Sequence, residues 1–169
     1  MKKNSKILSV DIDGILLKTD LLSETFWSAF ANDFLIPSKA FFAFFKGKGF
    51  LKEILFNSSS LDIKSLPYND AVIEYILLHR SNGGKVALVS SSSQKLAYAI
   101  SKHLDLFDEV YCYPSISKLK GLAKANHLEK IFGIGNFDYI GNSITDLQTW
   151  EISHKAITFN AKKSIKSKC

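Results

Sequence analysis

Cysteine is nearly absent from this chain: Cys112 lies inside an apolar run and Cys169 is the last of 169 residues. Two thiols so placed give no disulfide framework and suit a reducing compartment. Long hydrophobic runs are missing as well. The densest, AFFAFF at Ala40 to Phe45, falls far short of the roughly 18 apolar residues that cross a bilayer. The opening MKKNSKILSVD is basic, but its apolar run is short, meets an aspartate at once and has no small-residue cleavage site. A cytoplasmic protein, at most peripheral at the membrane, is expected. No basic stripe interleaved with aromatics runs through the body of the chain, which argues against nucleic acid as a partner. His79, His103, His127 and His154 are scattered without metal-ligand spacing and read as surface or packing residues.

What is present fits one globular domain with room for an inserted subdomain: 46% of residues are hydrophobic and 22% charged. The net charge of +6 gathers at the ends, in Lys2, Lys3 and Lys6 and in Lys162, Lys163, Lys166 and Lys168. Such ends are solvated tails or attract anionic surfaces. Strand-like runs at 7–12, 85–90, 108–113, 137–142 and 155–160 alternate with helical segments at 69–82, 93–104, 119–132 and 143–153. That alternation predicts an α/β fold with a mainly parallel sheet between helices.

One region breaks the rhythm. Between Asp20 and Leu66 the chain is aromatic-rich and strand-poor, and reads as two helices split near Pro37 and loosened at Gly47 and Gly49. A helical cap inserted at 21–66 is therefore expected, with residues 1–20 and 67–169 forming the core domain. Asp20 and Ser23 are candidate N-caps. Phe41, Phe42, Phe44, Phe45 and Phe50 exceed what two short helices bury on one face. Either they pack on each other and the core, or they form an exposed apolar patch for a substrate tail or a partner.

The first strand ends in VDIDG, which sets Asp11 and Asp13 on the same side of an extended segment. Two carboxylates so close need a cation, a shared proton or water. Ligands of open parallel sheets bind beyond the carboxyl ends of the strands, and polar residues gather at those ends here. They are Asp11 and Asp13, Ser90, and Asn142 with Asp146, while Lys120 opens the helix after the third strand.

These residues carry a resemblance. DIDGILLKTD resembles the first motif of the haloacid dehalogenase superfamily, ALVSS the second, LKG the third and YIGNSITD the fourth. The order matches its phosphoserine phosphatase-like branch. More narrowly, LPYND, HLDLFDEV, LKGLAK, FDYIGNS and DLQTW resemble the haloacid dehalogenase domain that precedes a membrane prenyltransferase domain of the UbiA superfamily. The resemblance implies a Rossmann-like fold and a magnesium-dependent phosphatase acting on a small or prenyl-linked phosphomonoester. Asp11 would be the nucleophile and Asp13 the general acid and base. Ser90, Ser91, Gly14 and Lys120 would hold the phosphate, with Lys120 preferred over Lys118 and Lys124 because it directly precedes a glycine. Mg2+ would be held by Asp11, Asp13, Asn142 and Asp146. A membrane prenyltransferase is the implied partner beside the phosphorylated substrate.

Two residues depart from the family pattern. Ile15 stands where threonine is usual, and Asn142 where the fourth motif offers an aspartate to the metal. The missing charge is worth roughly 4 kcal/mol at an effective dielectric near 20, before desolvation is credited back. A weakly active or inactive binding module is therefore the alternative to an enzyme.

Overall fold

The computed structural model describes residues 6–91, 93–113 and 120–159. The chain runs β1 (Ile7–Asp11), an irregular turn (Ile12–Leu16), α1 (Leu21–Asn32), α2 (Ile36–Lys46), α3 (Lys48–Ser58) and α4 (Asp70–Ser81). It continues through β2 (Val86–Ser90), α5 (Gln94–Leu104), β3 (Glu109–Cys112), α6 (Lys120–Phe132), β4 (Phe137–Gly141), α7 (Leu147–Ile152) and β5 (Lys155–Thr158). The strands form one sheet in the order β3-β2-β1-β4-β5, and each pairing is parallel. All five residues of β2 are buried, as a strand covered by helices on both faces requires. Register places Val10 beside Leu88 of β2 and Ile140 of β4, so Asp11 ends the central strand.

Alternate side chains of the strands feed two cores. Leu8, Val10, Leu88 and Ile140 pack with Val72 and Ile76 of α4 and Ile100 of α5. Val89, Phe137 and Tyr139 pack on the other face with Leu128 of α6 and Trp150 of α7. Each fully buried aliphatic or aromatic side chain contributes about 1.5–3 kcal/mol. The chain leaves β3 at one edge and returns to β4 beside β1. The crevice where direction reverses therefore opens at the ends of β1 and β4.

Three helices, not two, fill the segment between β1 and α4. Asp20 caps α1 by accepting from the Leu22 N–H at 2.7 Å. Pro37 lies in the first turn of α2, where no N–H donor is required, so the split expected near it falls just before it, at 33–35. The second break falls at Gly47, a poor helix former. Ala29, Ile36 and Leu55 form a small separate core among these helices. Where the segment leaves and rejoins the sheet domain the two passes are stitched together. Lys18 N–H donates to the Pro67 carbonyl at 2.9 Å, Asn69 N–H to the Leu16 carbonyl at 2.9 Å, and Leu17 bridges Tyr68 antiparallel. Among the described residues no helix is long and apolar enough to cross a membrane.

Candidate active site

The turn after β1 sets the first two carboxylates. Asp11 Oδ1 accepts from the Ile12 N–H at 2.9 Å, which fixes the rotamer at the strand end. Gly14 has φ +73°, a conformation that side chains disfavour, and its carbonyl accepts from Asn142 Nδ2 at 2.6 Å. A Cβ at Gly14 would lie 2.7 Å from that nitrogen, so the glycine is needed for space as well as for backbone. Asp13 Oδ1 accepts from the Leu21 N–H at 3.0 Å, tying the turn to the start of α1. Burial pushes the Asp13 carboxyl up to about 6, against the Leu21 N–H; Asp11 and Asp20 add to the rise and Lys52 opposes it.

Beneath this turn lies a buried ionic cluster. Lys124 Nζ donates to Asp11 Oδ2 at 2.5 Å, to Asp146 Oδ1 at 2.6 Å and to the Tyr139 hydroxyl at 2.7 Å, with 5% of its side chain exposed. The Tyr139 hydroxyl reaches Asp11 Oδ2 at 3.2 Å and Asp146 Oδ1 at 3.1 Å. Burial alone would lower the Lys124 pKa, but Asp11, Tyr139 and Asp146 outweigh it and hold the ammonium well above its ordinary value. Burial likewise opposes charge on Asp146, and is outweighed by Lys124 and by the amides of Ser143 and Asn142, which lower its pKa. Burial, with Asp11, holds the Tyr139 phenol protonated.

The expected Lys120 opens α6, and its side chain lies outside the described residues. Among the described residues Lys124, one turn on, meets Asp11. The cause is how α6 packs: Gly121, Lys124, Ala125 and Leu128 share its buried face. A Cβ on Gly121 would lie 2.4 Å from the Thr145 carbonyl, so the glycine after Lys120 is there for close packing. The signal was a lysine at a position where the helical period wants an apolar residue. Tyr139 was read only as part of a strand; its hydroxyl joins the cluster because β4 points that residue inward two positions before Gly141.

The remaining expected residues take these places. Ser90 ends β2 fully buried, with its carbonyl accepting from the Tyr113 N–H at 3.0 Å. Ser91 follows in a bend; its side chain hydrogen-bonds the Tyr113 phenol and its carbonyl accepts from Lys52 Nζ of α3 at 2.7 Å. Lys52 thus straps the helical segment to the serine loop. Asp146 has both oxygens engaged: beyond Lys124 and Tyr139, Oδ2 accepts from the N–H groups of Asn142 at 3.0 Å and Ser143 at 2.9 Å. Asp146, one of the expected metal ligands, therefore braces the loop through both oxygens. Among the described residues no group of three or more His, Cys, Asp or Glu side chains could hold an ion. The expected set also includes the Asp11 carboxylate, whose oxygens meet the Ile12 N–H, Lys124 and Tyr139, with the Asp13 carbonyl and the Asn142 amide oxygen as neutral members. Magnesium accepts one carboxylate with neutral oxygens and waters, so this set suits it, with one charge fewer than two carboxylates would give.

No family model matches the chain. A solved structure of phosphoserine phosphatase in apo form superposes with a TM-score of 0.70 at 22% identity, covering 98% of this chain and 92% of that one. The two chains share their fold. A phospho-aspartyl intermediate analogue of phosphoserine phosphatase gives a TM-score of 0.67 at 20% identity, covering 99% and 92%. The resemblance to haloacid dehalogenase proteins thus holds at the level of fold. In sequence, the chain is 33% identical over 150 residues to "Uncharacterized protein y4nM" of Sinorhizobium fredii (strain NBRC 101917 / NGR234). The match takes in 89% of this chain and 29% of that longer protein.

Proposed function

We propose that the protein is a phosphatase that hydrolyses a small or prenyl-linked phosphomonoester through a phosphorylated Asp11. The observation that carries this reading is the pairing of two carboxyls in unlike surroundings two residues apart. Asp11 is held by the Lys124 ammonium at 2.5 Å, while burial raises Asp13 to about 6. The first sets a nucleophile against a cation at the strand end, the second offers a group that carries and returns a proton near neutral pH. Asp11 attacks phosphorus, and the leaving alkoxide takes the Asp13 proton as the P–O bond breaks. Asp13, now ionised, draws a proton from water, which attacks phosphorus and returns Asp11 as the carboxylate with release of inorganic phosphate. Lys124 offsets negative charge at Asp11, and Ser90 and Ser91 at the end of β2 would donate to phosphoryl oxygens. The Asp11 carboxylate, the Asp13 carbonyl and the Asn142 amide oxygen would hold a magnesium ion, which would supply charge neutralisation for those oxygens. The solved phospho-aspartyl analogue on the same fold supports the covalent route.

One observation favours a second reading. Asn142 spends its amide on the Gly14 carbonyl at 2.6 Å, and a neutral group there suits a binding module with slow turnover and a membrane prenyltransferase as its partner. A magnesium titration of aryl phosphate hydrolysis separates the two. Magnesium-dependent turnover that disappears in Asp11→Asn supports the phosphatase; no turnover at any magnesium concentration favours the module.

A further inference from the structure

The outer side of α2 inverts the usual order of an amphipathic helix. Its inner stripe is Ile36, Ala40 and Ala43, at spacings of four and three, and these small or aliphatic residues suffice to seat it on α1 and α3. The side turned away carries Phe41, Phe42, Phe44 and Phe45, all exposed, Phe45 at 73%. Their rings do pack on one another: Phe41 lies 5.1 Å from Phe45 edge to face, and 5.8 Å from Phe42. That contact leaves most of their surface in water. Beside them Trp27, Phe34 and Leu35 are exposed as well. A groove of about 490 Å³ runs between the helices, lined in part by Phe26, Trp27, Pro37, Phe41 and Phe44. An apolar area of this extent marks an interaction surface.

Charge selects the occupant. From Phe34 to Lys52 the chain has no Asp or Glu, while it carries Lys39, Lys46, Lys48 and Lys52. Lys39 is exposed and pairs with Asp33 at 2.5 Å, and Lys46 is exposed with its ammonium 5.1 Å from the Phe50 ring centre. Around α2, Lys46 and Lys39 stand on the flank next to Phe42, whereas Phe41 and Phe45 face straight outward. Aromatic rings outward, lysines on the flank and no acid in the run match a surface that is apolar within and anionic at its rim.

We propose that α2 seats the protein on an anionic lipid bilayer, with Phe41, Phe42 and Phe45 entering the headgroup boundary and Lys46 meeting lipid phosphates. The catalytic assignment is independent of this seat. The test is co-sedimentation of the full chain with vesicles of phosphatidylcholine, with and without phosphatidylglycerol, beside Trp emission spectra. Trp150 is buried and Trp27 is 63% exposed at the groove, so a blue shift on adding vesicles reports the groove. Expected are binding that needs phosphatidylglycerol and weakens with salt, and a blue shift. Phe42→Ser with Phe45→Ser should lower partitioning by about tenfold or more, and Lys46→Gln by about fivefold, with the melting temperature held. Absence of binding to either vesicle overturns the proposal, as does binding that the double phenylalanine variant leaves unchanged. So does a concentration-dependent dimer that this variant abolishes, since the patch would then belong to a second copy of the chain.

Discussion

The ends of β1 and β4 bury charge, and the outer side of α2 exposes aromatic rings; both reverse what burial usually selects. The first reversal is compensated inside the molecule. Lys124, Asp11, Asp146 and Tyr139 satisfy one another, and the loop amides of Asn142 and Ser143 complete the set. The second is not compensated within the described residues: the phenylalanines of α2 touch each other and water. Buried charge that is paired is part of what holds this fold, whereas exposed rings without cover point to something outside it. Substitutions in the two regions should therefore differ in kind as well as in size.

The largest effect expected on activity is at Asp11. Asp11→Asn keeps the shape and removes the nucleophile, so aryl phosphate turnover should fall by on the order of 10⁴-fold or more while circular dichroism is unchanged. The largest effect on stability is expected at Lys124. Lys124→Met leaves two carboxylates buried without their cation and should cost about 3–5 kcal/mol in urea unfolding. The same change at Lys120 serves as the control. Equal losses at both would show that the cluster is not what holds the loop.

Asn142→Asp probes the seam between the loop and the proposed metal site. The new carboxylate cannot donate to the Gly14 carbonyl, so the variant should lose about 1–3 kcal/mol without divalent ions. Magnesium should restore its melting temperature and reach half-maximal activity at a lower concentration than in the native protein. Magnesium-independent melting of both proteins would remove position 142 from the metal set.

Asp13 and Asp146 should answer acid in opposite senses. Asp13 is raised from 3.8 to about 6 in the fold, so its contribution is full below pH 3.8 and lost as pH rises through about 6. Asp146 is lowered from 3.8, so its contribution is full above that pH and lost on acidification below it. Between neutral pH and about 5 the Asp13 effect acts alone of the two. Urea midpoints should show a gain on mild acidification that Asp13→Asn removes. The smallest effect belongs to the other region. Phe42→Ser should change unfolding free energy by no more than about 0.5 kcal/mol, since its ring is exposed.

Much of this was legible in the sequence, and the reason differs by element. β2 announced itself because five consecutive buried positions leave a continuous apolar run, and Asp11 because VDIDG ends such a run. Lys124 was harder. Its charge argued for solvent, and only the buried stripe of Gly121, Ala125 and Leu128 around it gives it away. Tyr139 reads as ordinary packing in any strand, because the hydroxyl partners come from residues 128, 15 and 7 positions away. In the helical segment, Pro37 marks the first break because proline opens a helix at its start and cannot stand inside one. The phenylalanines left two alternatives open, since periodicity names an apolar face without saying whether anything covers it.

The measurement that meets the central claim most directly is trapping of the phosphorylated enzyme. Asp13→Asn slows hydrolysis of the intermediate, so this variant, mixed with aryl phosphate and magnesium and then acid-quenched, should carry one phosphoryl group. Peptide mass spectrometry should place it on Asp11, and hydroxylamine should remove it, as expected of an acyl phosphate. The doubly substituted Asp11→Asn, Asp13→Asn protein should carry none. A native protein that hydrolyses aryl phosphate while neither it nor the Asp13 variant accumulates label at Asp11, or label that survives substitution of Asp11, would contradict the account.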